Sequence, residues 1–220
     1  MKEFEWSSNL AYAVGLMVTD GSLSKDARHL DLTSNDIEQL KNFNKCLNTN
    51  IKITWKTGGY DGKKFPRLQF SHVKLYRWLI EIGLMPNKTK IIAEIKVPDK
   101  YFFDFLRGHF DGDGSTYSYW DPRWKSSFMI YLQFLSASTK HIDWLKGEIL
   151  KLTGCEGKIR QVKGCYKLTF AKVASKIIIE KMYQDKNCIH LSRKKEKIDK
   201  ALKEENKKQA GMGKLVNPLP

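Results

Sequence analysis

The chain has 220 residues, 41% of them apolar and 12% aromatic, which excludes a disordered polypeptide and allows one large domain or two small ones. Thirty-nine lysines and arginines against 24 acids leave a formal net charge of +15, and such a chain repels itself unless its partner is a polyanion, nucleic acid first. No apolar run approaches the roughly 20 residues that span a bilayer, the start Met1 to Trp6 lacks a signal peptide's apolar core, and Cys46, Cys155, Cys165 and Cys188 show no metal-site spacing, so the expectation is an intracellular protein with reduced thiols, no membrane partner and no zinc.

Ser7, Ser8 and Asn9 offer N-caps to a helix from Leu10 to about Val18. It is apolar on nearly every side, the mark of a buried helix. It runs into Gly15-Leu16-Met17-Val18-Thr19-Asp20-Gly21-Ser22, after which Asp20, Ser22, Ser24, Asp26 and Arg28 fall on one face of a strand pair while Leu30 and Leu32 fill the other. Leu32 to Leu40 reads as a strand entering an amphipathic helix. In the next hairpin Ile53 and Trp55 alternate with Lys52, Thr54 and Lys56, and Leu68 and Phe70 with Arg67, Gln69 and Ser71, before a helix over 73–82. Pro86 and Pro98 bracket a connector.

The second half repeats this order. Pro98-Asp99 is a plausible cap for a helix beginning at Tyr101, which runs into Gly108-His109-Phe110-Asp111-Gly112-Asp113-Gly114-Ser115. Tyr117 and Tyr119 fit either a core or a DNA-facing place, and an insertion over 120–127 carries Arg123 and Lys125. Ile130, Leu132 and Phe134 supply an apolar face, and Leu135 to Leu145 again runs from strand to helix. Lys158, Arg160 and Lys163 sit on a stretch irregular enough to suggest a bulge, and Lys167 and Thr169 alternate with Tyr166, Leu168 and Phe170 before a helix over 173–183. Residues 52–77 hold seven Lys/Arg and one acid, residues 156–176 six and one, so the positive charge gathers on the hairpins. Gly15 and Gly108, inside apolar helices that glycine weakens, imply two backbones in close approach.

The fold class is therefore α+β, two αββαββα repeats over 1–85 and 99–202, a linker at 86–98 and a flexible basic tail at 203–220. Each half contributes one carboxylate, Asp20 and Asp113, at a helix-to-strand junction. Taken singly an Asp-Gly there is an ordinary turn; its recurrence with matching downstream elements argues for more. His109 and His141 read as structural residues rather than ligands.

Two copies of apolar helix, acid, Gly-Ser and basic hairpins resemble the LAGLIDADG homing endonucleases in their single-chain, two-motif form, over roughly residues 7–200. Asp111-Gly112-Asp113-Gly114-Ser115 is the sharper copy; in the first, Val18-Thr19 replaces the family's Asp-Ala pair while Asp20-Gly21 stands. The resemblance implies motif helices packed about a pseudo-two-fold axis and two curved antiparallel sheets forming a saddle on double-stranded DNA. It implies a monomer that cuts one phosphodiester on each strand of a long asymmetric site, leaving short 3′ overhangs, in the service of intron homing. Asp20 and Asp113, with the backbone of Thr19 and Gly112, would hold Mg2+, for which Mn2+ can substitute and whose site Ca2+ can fill without supporting cleavage. Lys88 and Lys194 stand where the family places a basic residue, with Lys90 and Arg193 as neighbours in register; where some members carry a glutamine at a strand end, this chain has Ser34 and Ala137.

The residues expected to face DNA are Ser22, Ser24, Arg28, Lys52, Thr54, Lys56, Arg67, Gln69 and Ser71 in the first half, and Ser115, Tyr117, Tyr119, Arg123, Lys125, Lys158, Arg160, Lys163, Lys167 and Thr169 in the second. Two other readings use the same scaffold: a splicing maturase that binds its own intron RNA, and a catalytically silent DNA-binding regulator. The two acids favour cleavage, because a binder has no chemical need of them.

Overall fold

The computed structural model describes residues 4–58, 62–124 and 127–213. The order is α1 (Ser8–Thr19), β1 (Gly21–Leu23), β2 (His29–Thr33), α2 (Ile37–Cys46), β3 (Ile53–Thr57), β4 (Lys64–Ser71) and α3 (Val73–Glu81), then α4 (Phe102–Asp113), β5 (Ser115–Trp120), β6 (Phe128–Ser136), α5 (Thr139–Thr153), β7 (Lys158–Val162), β8 (Cys165–Ala171), α6 (Lys172–Met182) and α7 (Ser192–Gly213). The strands form two antiparallel sheets of identical topology, β1-β2-β4-β3 and β5-β6-β8-β7. This is the α+β repeat expected from the sequence.

Alternation sorts each sheet into two faces. In the first, Leu30 pairs with Phe70 and Leu32 with Leu68 on the helix side, while Ser22, Asp31 and Gln69 line up on the other, as do Thr33, Arg67 and Thr54. In the second, Leu132 pairs with Phe170 and Phe134 with Leu168 inside, while Ser115, Gln133, Thr169 and Lys158 form one outer row and Tyr117, Tyr131 and Ala171 another. One apolar core joins both halves, because α1 and α4 lie between the sheets and are buried along almost their whole length. Two glycines permit that seam: a methyl added at Gly15 would stand 2.3 Å from the Phe105 carbonyl oxygen, and one at Gly108 2.1 Å from that of Tyr12.

Three local expectations are corrected. Helix α4 begins at Phe102, after a 3-10 turn over Asp99–Tyr101, and Asp99 caps nothing; it pairs with Lys151 at 2.9 Å. Strand β7 has no bulge, since a two-residue turn at Lys163 and Gly164, with Gly164 at φ 79°, closes a regular hairpin in which Val162 faces Cys165. The residues from 203, expected to be a flexible tail, continue α7 to Gly213. Ala201 packs on Phe128 and Ile130, and Lys176 binds the buried Glu205 at 3.1 Å, so this helix is held by side-chain partners that lie far off in sequence.

Candidate active site and nucleic-acid interface

The two acids converge because the helices that carry them do. Asp20 closes α1 and Asp113 is the last residue of α4. A methyl added at Gly112 would lie 1.9 Å from Thr19 Oγ1 and 3.0 Å from Asp20 Oδ2, so the two helix ends face each other with no room for a side chain between them. Burial pushes the Asp20 carboxyl up to about 6; a hydrogen bond from Gln39 opposes the rise and the facing Asp113 adds to it. Burial raises Asp113 as well, with Lys194 and Lys88 pulling it back.

Beneath each acid lies a buried lysine. Lys88, 7% exposed, donates to the carbonyls of Gly21 at 2.5 Å and Thr19 at 3.4 Å. Lys194, 8% exposed, donates to Gly112 at 2.9 Å, Gly114 at 2.8 Å and Phe110 at 2.6 Å. The targets correspond across the two halves, and both ammonium groups sit at the negative end of a motif helix. Burial draws each lysine down to about 8. All three protons of Lys194 are directed at carbonyls, which makes it a clamp on the helix end. Lys194→Met is therefore expected to destabilise the fold by about 3 kcal/mol, read from chemical denaturation, because the Gly112 and Gly114 carbonyls lose their donor while Phe110 keeps only the Gly114 N–H. The neighbours in register lie elsewhere: Lys90 is exposed, and Arg193 pairs with Asp36 at 2.6 Å.

Two carboxylates raised by burial, Asp20 also by the facing Asp113, form a hard-oxygen pair that a divalent cation would neutralise. Among the described residues no cluster of three or more His, Cys, Asp or Glu side chains assembles, so such a cation would draw its other ligands from carbonyls, water or phosphate. The Thr19 and Gly112 carbonyls already accept from the lysines, and each keeps a second lone pair.

Two residues central to this site escaped the sequence reading. Gln39, on α2, donates its Nε2–H to Asp20 Oδ2 at 2.5 Å; Ser34, at the strand end where the resemblance would place a glutamine, instead accepts the Asp36 N–H on its Oγ at the entry to α2. Asp111, fully buried, accepts from Tyr12 Oη and from the Leu191 N–H, both at 2.8 Å, and so ties α1 and α4 to the start of α7. Val18 holds the equivalent place in the first motif. No local pattern signals either role, since each partner is supplied by another element.

On the sheets, Ser22, Thr54, Lys56, Arg67, Gln69 and Ser71 share the outer face of the first, and Ser115, Tyr117, Tyr119, Lys158, Arg160, Lys167 and Thr169 that of the second. Lys158, Arg160, Lys167, Thr169, Tyr117, Tyr131 and Gln133 line a shallow cleft of about 410 Å3. Arg67 is braced by Asp31 at 3.0 Å. Ser24 and Arg28 lie at the β1–β2 turn, Lys52 just before β3, Arg123 in the β5–β6 loop beside Asp121, and Lys163 in the β7–β8 turn, so these five are peripheral to the sheet faces. Lys125 lies outside the described residues. Tyr117, Tyr131 and Tyr119 stack nearly parallel, with ring centroids 4.7 Å and 5.9 Å apart along the row, which places Tyr117 and Tyr119 on the outer surface rather than in the core. No helix among the described residues is long and apolar enough to cross a membrane.

No protein-family model and no curated protein matches the sequence. Solved structures do match the fold. The I-LtrWI LAGLIDADG homing endonuclease bound to target DNA superposes with a TM-score of 0.58 at 14% identity, over 95% of this chain and 95% of that one. I-GzeII in complex with its DNA target gives 0.58 at 13%, over 93% and 92%. Full-length DUF199/WhiA from Thermatoga maritima gives 0.56 at 15%, over 92% of this chain, which spans only 63% of that protein. The chain thus has the fold of the single-chain, two-motif LAGLIDADG homing endonucleases, and its neighbours of that fold include DNA endonucleases seen on their targets.

Proposed function

We propose that the protein is a site-specific double-stranded DNA endonuclease that hydrolyses one phosphodiester on each strand of a long asymmetric site and leaves short 3′ overhangs. The observation that carries this reading is the meeting of Asp20 and Asp113 at one end of a helix seam flanked by two sheets with basic outer faces. Asp20 and Asp113 are the proposed magnesium ligands, assisted by the Thr19 and Gly112 carbonyls, with manganese able to substitute and calcium able to bind without supporting cleavage. Bound there, the cation would lower the pKa of an attacking water and neutralise charge on the phosphate. Lys88 and Lys194 fix the helix ends and lend positive charge near the scissile groups. The enzyme would act as a monomer, since one chain carries both acids and both sheets. Intron homing, the advantage such cutting confers on a mobile intron, is part of the same proposal.

The test is incubation of the native chain, Asp20→Asn and Asp113→Asn with magnesium and DNA carrying the uninterrupted host locus. Undiminished double-strand cutting by either variant sinks the assignment. A binding protein on this scaffold is the second reading, favoured by the fold's presence as one domain of the longer WhiA; native DNA or intron-RNA binding without cutting would establish it.

The sheet faces divide between reading and holding. Arg67, kept in place by Asp31, and Gln69 are the residue types that read guanine and adenine on this face. Arg67→Ala is expected to lose about 1–3 kcal/mol at particular base pairs and relax preference there, whereas Lys56→Ala should weaken all sequences alike and flatten the salt dependence of binding by about one phosphate contact. Binding titrations at several salt concentrations on matched and substituted sites separate the two.

A further inference from the structure

Gln39 and His141 occupy the same place in the two halves. Each is the third residue of the helix that follows its half's second strand, and each helix is entered through the same turn, Asp36 N–H to Ser34 Oγ and Ser138 N–H to Ser136 Oγ, both at 3.1 Å. Both side chains are buried, at 2% and 1% exposure. Gln39 reaches its acid directly and gives Asp20 a proton to share. His141 makes no such bond.

Its ring is held differently. His141 Nδ1 stands 2.7 Å from the Ala93 carbonyl oxygen, a contact that only an N–H satisfies, so Nδ1 carries the proton and Nε2 is an acceptor. Nε2 has no protein partner, and neither has Nδ1 of His109, whose ring stacks on it at 5.3 Å and 20°. Burial holds both imidazoles neutral, drawing His141 down to about 4. The two rings line a cavity of about 60 Å3 whose wall also includes Asp113, Lys88 and Thr19. That is room for about four waters, in a setting polar enough to keep them.

An unprotonated imidazole nitrogen and a carboxylate are both acceptors, and the small group that can satisfy both at once is water, with two O–H donors. We propose that this cavity is a water site of the second active centre, in which a water anchored on His141 Nε2 donates to Asp113 as the Gln39 amide donates to Asp20. His141 is then a positioning residue, and the two strands are served by unlike supports, one an amide and the other a hydrated histidine. The claim rests on the nuclease reading for its role in cutting, and on the cavity alone for the water.

Two measurements test it. Water-to-ring nuclear Overhauser contacts at His109 and His141 in the DNA-free protein should reveal the held water, and their absence overturns the proposal. Strand-resolved cleavage should show His141→Leu slowing one strand by about 10-fold with the other unchanged, Gln39→Leu slowing the opposite strand, and His141→Gln, which restores an amide donor, cutting near the native rate. Equal slowing of both strands by His141→Leu, or no recovery in a folded His141→Gln, overturns it. A native chain that cuts neither strand defeats the nuclease reading, and the water contacts then decide the cavity by themselves.

Discussion

Asn at position 20 or 113 is expected to reduce double-strand cleavage by about 100-fold or more while making the DNA-free protein more stable. The two effects have one cause. Burial and the facing Asp113 raise the Asp20 carboxyl from 3.8 to about 6, despite the Gln39 hydrogen bond. A carboxyl raised on folding weakens the fold wherever it is ionised, fully above about pH 6, and ceases to do so below its unfolded value near 4. Near neutral pH the substitution removes a charge that the fold holds at a loss, and keeps an oxygen to accept from Gln39. After allowance for the solvent that still reaches this group, the gain is about 1 kcal/mol for Asp20→Asn. Thermal melts at pH 7.5 and pH 4 check it: the variant should lead at the higher pH, and the gap should close at the lower. Bound magnesium should favour the native protein instead, because the cation stabilises the state that holds it. A variant that cuts normally, or that melts earlier than the native chain at both pH values, contradicts this account of the site.

The sequence carried most of the scaffold because its signals are local and occur twice. Gly15 and Gly108 in apolar helices announced the close seam, Asp20 and Asp113 at helix ends marked the junctions, and strict alternation in Leu30-Asp31-Leu32 and Leu168-Thr169-Phe170 separated core faces from outer faces. What escaped was set by tertiary partners. Gln39 sits on an ordinary amphipathic helix and acquires meaning only when α2 packs beside the end of α1. The charged run after Ala201 has the composition of a tail, yet Lys176 and the Phe128–Ile130 surface give it something to bind. Asp111 stands in the sharper motif copy two residues before Asp113, but it serves as a structural tie, reached by Tyr12 from 99 positions away. Of the four basic residues near the two helix ends, Lys88 and Lys194 turn under them, while Lys90 is exposed and Arg193 pairs with Asp36.

Gly108→Ala is expected to be among the most damaging single-methyl additions in the chain. Alanine favours a helix over glycine by about 1 kcal/mol, so on an open helix surface the change would help. Gly147, exposed on α5 with nothing within 4 Å of an added methyl, is that case, and Gly147→Ala should stabilise by about 0.5–1 kcal/mol. At Gly108 the methyl would stand 2.1 Å from the Tyr12 carbonyl oxygen, and at Gly15 2.3 Å from that of Phe105. These are backbone atoms, which no rotamer change can move aside. The helices must part, and parting them loosens packing along the whole seam, so a net loss of about 3 kcal/mol in urea denaturation follows, the upper end of what overpacking costs. The same displacement would widen the gap at the far end of the seam, where Gly112 already faces Thr19 and Asp20 without room for a side chain. Cleavage by Gly108→Ala should therefore fall even under conditions in which the protein remains folded. Full activity from a stable Gly108→Ala protein would mean that the seam does not set the distance between the two acids.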